Sequence, residues 1–124
     1  MDHFFLGTVI HGLGEGKNLG FPTVNIKLNN SELDIDKGIY AVIVDVDSQR
    51  YKGMLYAGTR PTFDLQDMSI EIHIFNFNKN IYDQPVSFKL CKKIRDEIKF
   101  DNINQLIEQL HQDKEKVYKF FHFL

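Results

Sequence analysis

The chain has 124 residues, of which 43% are hydrophobic and 26% are charged. This length suits one domain that buries roughly two thirds of the surface exposed by its unfolded chain. That is enough for a hydrophobic core without disulfides or a structural metal. Fifteen basic and seventeen acidic residues give a net charge of −2, which excludes a uniformly basic nucleic-acid surface. Eleven Phe residues exclude a disordered chain, and the single Cys91 excludes an internal disulfide and a multi-cysteine metal site.

Targeting signals are not visible in the sequence. Residues 1–7 lack a basic region and a long apolar run. No stretch approaches the roughly 18 consecutive apolar residues of a membrane span. We therefore expect a cytoplasmic protein in a reducing compartment, without a membrane partner.

Hydrophobic patterning predicts six strands joined by short turns over the first three quarters of the chain. The clearest alternation is in 69–77, where three isoleucines oppose Glu71, His73 and Phe75. The other predicted strands cover 3–11, 23–28, 38–46, 50–58 and 81–91. Pro85, inside the last of these, predicts an edge position or a bulge.

The period changes from Asn102 onward, where apolar residues follow helical spacing. Asp101 or Asn102 is suited to cap the start of this helix. The apolar tail, residues 120–124, is expected to pack under the sheet, with a lost neighbouring domain as the alternative.

The strand spacing favours a mainly β fold, a small closed antiparallel barrel with one C-terminal helix, in a single domain over 1–124. The barrel is expected over about 3–91, the connecting loop over 92–101 and the helix over about 102–120.

A glycine-rich stretch, 12–20, could bring backbone N–H groups close to a phosphate, and Lys17 would add a positive charge. It fits neither of the familiar phosphate motifs, because positions 11 and 18 are His and Asn and no helix follows. A plain hairpin connection explains the stretch about as well.

Thr23 and Asn25 are two residues apart in a predicted strand, so their side chains leave the same face, and Pro22 fixes the backbone before them. Hydroxyl and amide oxygens are hard ligands that suit Mg²⁺. An ordinary polar strand face is the alternative interpretation. With glycines and a lysine nearby, the sequence supports the two interpretations about equally.

Glu71 lies in an otherwise apolar strand. Its carboxylate can face solvent, or it can enter a cleft and act as a general base toward a hydroxyl group. His73 shares this face, where a hydrogen-bonded structural role is more common than catalysis. Residues 58–63 and 94–100 combine an arginine with an aromatic ring, a pair that could grip a planar polar ligand, or simply form solvated connections.

Six segments, in this order and spacing, resemble the riboflavin kinase family, most closely the kinase module of bacterial bifunctional riboflavin kinase/FAD synthetases. They are 7–12 (GTVIHG), 19–26 (LGFPTVNI), 38–40 (GIY), 58–63 (GTRPTF), 70–73 (IEIH) and 94–100 (IRDEIKF).

The resemblance implies a six-stranded antiparallel Greek-key barrel with a C-terminal helix. It also implies an enzyme that transfers the γ-phosphoryl group of ATP to the 5′-hydroxyl of riboflavin, giving FMN and ADP. A metal ion, Mg²⁺ or alternatively Zn²⁺ or Mn²⁺, is then held by Thr23 and Asn25, and Glu71 is the catalytic base. Nucleotide contacts fall on Gly12, Lys17, Thr23, Ile74, Asn76 and Tyr82. Flavin contacts fall on Arg95, Ile98 and Phe100.

Two departures from the family pattern are Val24, where Ala is usual, and Ile98, where a polar residue is usual. We expect Thr23, Asn25 and Glu71 to converge at the mouth of the barrel. The alternatives are a flavin-binding barrel without catalysis, and a kinase module whose partner is an adenylyltransferase domain in a longer chain. A nucleic-acid partner is not expected, because the basic residues are scattered and balanced by acids.

Overall fold

The computed structural model describes residues 3–11, 20–29, 35–59 and 68–122, without the side chains of Thr59 and Met68. These ranges contain six strands and one helix. They are β1 (Phe4–Ile10), β2 (Val24–Leu28), β3 (Gly38–Val46), β4 (Gln49–Thr59), β5 (Met68–Ile74), β6 (Pro85–Asp96) and α1 (Ile103–His122).

The strands close into a barrel in the order β1-β2-β5-β4-β3-β6, and every neighbouring pair is antiparallel. Strands β3, β4 and β5 form a meander, and β2 lies beside β5 rather than beside β3, which is a Greek-key arrangement. The predicted six-stranded Greek-key barrel with a C-terminal helix is confirmed.

Every second side chain of a strand points inward, so the apolar residues that alternate along the strands fill the interior of the barrel. Ile70, Ile72 and Ile74 of β5 belong to the interior cluster, as the pattern predicts. The side chains of Glu71 and His73 therefore leave the outer face of the wall.

The end of β6 differs from the prediction. The strand runs to Asp96, five residues beyond Cys91, so the connection to the helix spans only 97–102. Local patterning misses this extension because residues 92–96 are largely charged, while pairing with the start of β3 keeps them in the sheet.

Pro85 is the first residue of β6, where a missing backbone N–H is tolerated. The predicted edge position is wrong, since a closed barrel has no edge. The register shifts between β3 and β6 lie opposite 39–42 instead.

A second apolar cluster lies on the outside of the barrel, beneath α1. It comprises Phe21, Ile39, Ala41, Met54, Phe75, Val117 and Phe121. The expected packing of the helix against the sheet is confirmed as far as Phe121, and residues 123–124 lie outside the described part. Asn102 caps the helix by accepting a hydrogen bond from the backbone N–H of Gln105 at 2.9 Å. Across the described residues, no helix has the length and apolar character needed to cross a membrane.

Gly38 begins β3 with φ of 152°, next to the end of β6. A Cβ atom at this position would collide with the backbone carbonyl oxygen of Arg95. Glycine therefore lets the two strands approach closely enough to place Arg95 on the outer wall.

Candidate functional site

A cavity of about 300 Å³ lies between the outer wall of the barrel and α1. The barrel wall and the segment before β2 contribute Phe21, Thr23, Ile39, Met54, Tyr56, Glu71 and His73. Arg95, near the end of β6, belongs to the same wall, and Ile98, Phe100, Leu106 and Leu110 enclose the other side. The lining thus combines apolar and aromatic surface with a few polar groups, the composition typical of a small-molecule site.

Strand register explains why distant residues meet in this cavity. Asn25, Glu71, Tyr56, Ile39 and Arg95 are successive Cα partners across β2, β5, β4, β3 and β6. Directly paired residues share a face of the sheet. The row therefore runs along the outer face of the wall. Asn25 and Glu71 thus lie on this outer face, and not at the mouth of the barrel, where sequence analysis places them together with Thr23.

Thr23 and Glu71 are in direct contact. The Thr23 Oγ1 hydroxyl donates a hydrogen bond to Glu71 Oε1 at 3.1 Å. Asn25 is buried on the adjacent strand as the Cα partner of Glu71. Because the Thr23 proton is given to Glu71, the lone pairs of Oγ1 remain available to a cation.

His73 ties β5 to the segment before β2. Its Nδ1 lies 2.8 Å from the carbonyl oxygen of Pro22. A carbonyl oxygen only accepts, so Nδ1 carries the proton. Nε2 is buried without a hydrogen-bond partner among the described groups. Burial lowers the pKa of His73, and the charge of Lys114 adds to this, while the Pro22 bond acts in the opposite direction. These contacts support a structural role for His73, which holds β5 against the segment before β2.

The lowered pKa of His73 predicts a pH-dependent stability. As pH falls below the ordinary value of 6.5, the unfolded chain takes up a proton that folded His73 does not bind. The free energy of unfolding should therefore decrease until the pH reaches the folded pKa. Urea unfolding at pH 7.5 and 5.5 should show a smaller decrease for His73→Gln than for the unmodified chain. The exposed control His3→Gln should keep the full decrease; equal behaviour of the two variants would contradict the prediction.

Arg95 is held by a buried carboxylate that sequence analysis missed. Its Nε lies 2.9 Å from both oxygens of Asp113, and Nη2 lies 2.8 Å from Oδ2. Asp113 is fully buried and also accepts a hydrogen bond from Gln109 Nε2 at 3.0 Å. The guanidinium carbon is 5.9 Å from the centre of the Phe100 ring. The edge of Arg95 is thus engaged by the protein, and its flat face is the part suited to stacking.

Three predicted nucleotide contacts lie elsewhere, since none of them lines the cavity. Ile74 is buried in the barrel interior, and Asn76 is exposed in the turn after β5 with φ of 55°. Tyr82 is 47% exposed and stacks on His11, with ring centres 3.9 Å apart. Gly12 and Lys17 lie outside the described residues.

Comparison with known proteins adds an independent line of evidence. The model of a protein family described as "Flavokinase: Riboflavin kinase" matches residues 1–121. A bifunctional riboflavin kinase/FMN adenylyltransferase of Bacillus subtilis is 38% identical over 122 residues, which cover 96% of this chain and 39% of the relative. One of the same description from Haemophilus influenzae is 42% identical over 116 residues, covering 93% of this chain and 37% of the relative.

A solved structure, described as a macrolide-efflux protein from Streptococcus pneumoniae, has the same fold, with a TM-score of 0.85 and 36% sequence identity. The match covers 93% of this chain and 38% of that one. The chain therefore spans about two fifths of the length of each of these three proteins.

Proposed function

Since the chain belongs to the riboflavin kinase family, we propose that it transfers the γ-phosphoryl group of ATP to the 5′-hydroxyl of riboflavin, giving FMN and ADP. One observation carries this proposal. Glu71, in contact with Thr23, faces the same cavity as Arg95, Ile98 and Phe100. A carboxylate base in one cavity with the flat face of an arginine and two apolar side chains suits a substrate in which an alcohol is attached to a planar ring system.

Glu71 is the proposed general base. Its carboxylate accepts the proton of the 5′-hydroxyl while that oxygen forms a bond to the γ-phosphorus of ATP, and the bond from phosphorus to the bridging oxygen breaks to release ADP. Phosphoryl transfer depends mainly on positioning and on neutralising charge. The hydrogen bond from Thr23 fixes the position of the carboxylate at the point where the two substrates meet.

Thr23 and Asn25 are the proposed metal ligands. Their oxygens form a hard donor set, which fits Mg²⁺ or Mn²⁺ together with water and phosphate oxygens. Zn²⁺ fits less well, because its usual ligands are Cys, His and carboxylate groups rather than hydroxyl and amide oxygens. When bound, Mg²⁺ would supply positive charge to the phosphates.

Arg95, Ile98 and Phe100 are the proposed flavin contacts. Since Asp113 and the backbone of Asp96 engage the guanidinium edge of Arg95, we expect stacking rather than a hydrogen bond from this side chain. Ile98 adds apolar contact at the rim. The nucleotide contacts of Gly12, Lys17, Ile74, Asn76 and Tyr82 stay predictions of the resemblance.

The direct test is an assay of the chain with riboflavin, ATP and Mg²⁺, in which chromatography should detect FMN and ADP in equal amounts. A control with the metal chelated should form neither. We expect no FAD from residues 1–124. Riboflavin binding without FMN formation would instead favour a flavin-binding barrel without catalysis.

The metal assignment predicts that Asn25→Ala raises the Mg²⁺ concentration for half-maximal activity by about 10- to 100-fold, the worth of one bond to a charged group. Riboflavin binding in the absence of ATP should change little. Asn104→Ala, an exposed substitution on α1, serves as the control. An unaltered Mg²⁺ dependence in Asn25→Ala would argue against metal ligation.

A further inference from the structure

We propose that Tyr56 and Glu97 form a latch that holds the connection 97–102 over the cavity and slows the escape of bound flavin. This inference rests on the proposed function, because it concerns the residence of the substrate in that same site. Neither residue is among the individual site residues predicted from the sequence, although Glu97 lies within the segment 94–100.

The latch is a single short hydrogen bond between two distant parts of the chain. The Tyr56 hydroxyl on β4 donates to Glu97 Oε2 at 2.7 Å, and the two residues are 41 positions apart. Glu97 is the first residue after β6. In the part of the chain that the structure describes, no other hydrogen bond joins residues 97–100 to the barrel wall.

Gly58 fixes the direction of the Tyr56 ring. A Cβ atom on Gly58 would lie 2.5 Å from Cε1 of Tyr56 and 2.7 Å from its Cζ and Oη. Since residues 56 and 58 share one face of β4, the ring lies flat along the strand over the glycine. Any larger residue at 58 would displace the ring, so the strand is shaped to aim the hydroxyl toward Glu97.

The connection carries cavity-lining groups between two fixed ends. At one end Tyr56 holds Glu97, and at the other end Asn102 caps α1. Between them, Ile98 is 45% exposed and lines the cavity together with Phe100. Release of the latch would therefore free the apolar side chains that close the site.

The hydroxyl of Tyr56 keeps its proton, and so stays a hydrogen-bond donor, at neutral pH. Burial raises the pKa of Tyr56, and the hydrogen bond to Glu97 and the charges of Glu97 and Glu71 raise it further, against a smaller opposing effect of Arg95. The bond is exposed to solvent on the side of Glu97, so its strength is that of an ordinary hydrogen bond. One such bond is enough to alter a dissociation rate measurably.

The test measures riboflavin dissociation from the full chain without ATP, by stopped-flow fluorescence. Tyr56→Phe keeps the ring and removes the donor, and it should raise the dissociation rate about three- to tenfold. Glu97→Ala should have the same effect, and the double variant should add little to either. Glu97→Gln, which keeps an acceptor oxygen, should stay within about twofold of the unmodified chain.

Tyr51→Phe is the matched control, because Tyr51 is also on β4 and, among the described residues, its hydroxyl bonds only to exposed Gln49 Oε1. Its dissociation rate should not change. If riboflavin binds and dissociates equally fast from Tyr56→Phe, Glu97→Ala and the unmodified chain, the latch is overturned and the proposed function stands. An equal acceleration by Tyr51→Phe also overturns it. Failure of the unmodified chain to bind riboflavin overturns both proposals.

Discussion

Glu71→Gln should lower kcat for riboflavin phosphorylation by about 10²- to 10⁴-fold, the usual contribution of a positioned general base. The amide oxygen of Gln can still accept the hydroxyl of Thr23, which lies 3.1 Å from the native carboxylate oxygen. The substituted side chain cannot take the proton of the 5′-hydroxyl. The loss should therefore appear in the chemical step, while the affinity for riboflavin stays nearly intact.

Two measurements separate these effects. FMN formation at saturating substrates gives kcat, and riboflavin fluorescence in the absence of ATP gives the dissociation constant. Glu108→Gln, which removes a carboxylate from the exposed part of α1, controls for the change in net charge and should retain normal turnover. Near-normal kcat in Glu71→Gln would reject the role of base, whatever the affinity shows.

The outward position of Glu71 follows directly from the sequence, because the isoleucines around it demand burial and a strand has a period of two. Its partner does not follow from local pattern. Thr23 is 48 residues away, and the two meet only because β2 lies beside β5 in the closed sheet. Sequence spacing placed Thr23 and Asn25 on one face, and only the resemblance to a family linked them to Glu71.

Asp113 shows why part of the site escapes sequence analysis. It occupies a position on the apolar stripe of α1 that also holds Leu106, Leu110, Val117 and Phe121. An acidic residue on a buried stripe is a signal that a cationic partner is near. The identity of that partner, Arg95, depends on how far β6 extends and where α1 docks, and neither is encoded in neighbouring residues. The Tyr56–Glu97 contact is hidden for the same reason.

The buried ion pair yields the second large prediction. Asp113→Ala should lower the free energy of unfolding by about 3–5 kcal/mol, because it leaves the guanidinium of Arg95, a side chain that is only 10% exposed, without its carboxylate. Urea unfolding measures the change. Glu115→Ala is the control on the same helix, since its pair with Lys119 is 3.7 Å apart with both side chains 68% exposed. That substitution should cost less than about 1 kcal/mol.

A double variant distinguishes an uncompensated charge from simple loss of packing. Arg95→Met combined with Asp113→Ala removes both charges but leaves the volume of the Asp113 side chain unfilled, so it should regain most of the stability lost in Asp113→Ala if the uncompensated charge is the cause. If the cost came from packing alone, the double variant would be at least as unstable as the single one. Weaker riboflavin binding by folded Asp113→Ala, which keeps Arg95, would indicate that the pair also fixes the placement of Arg95 against Phe100.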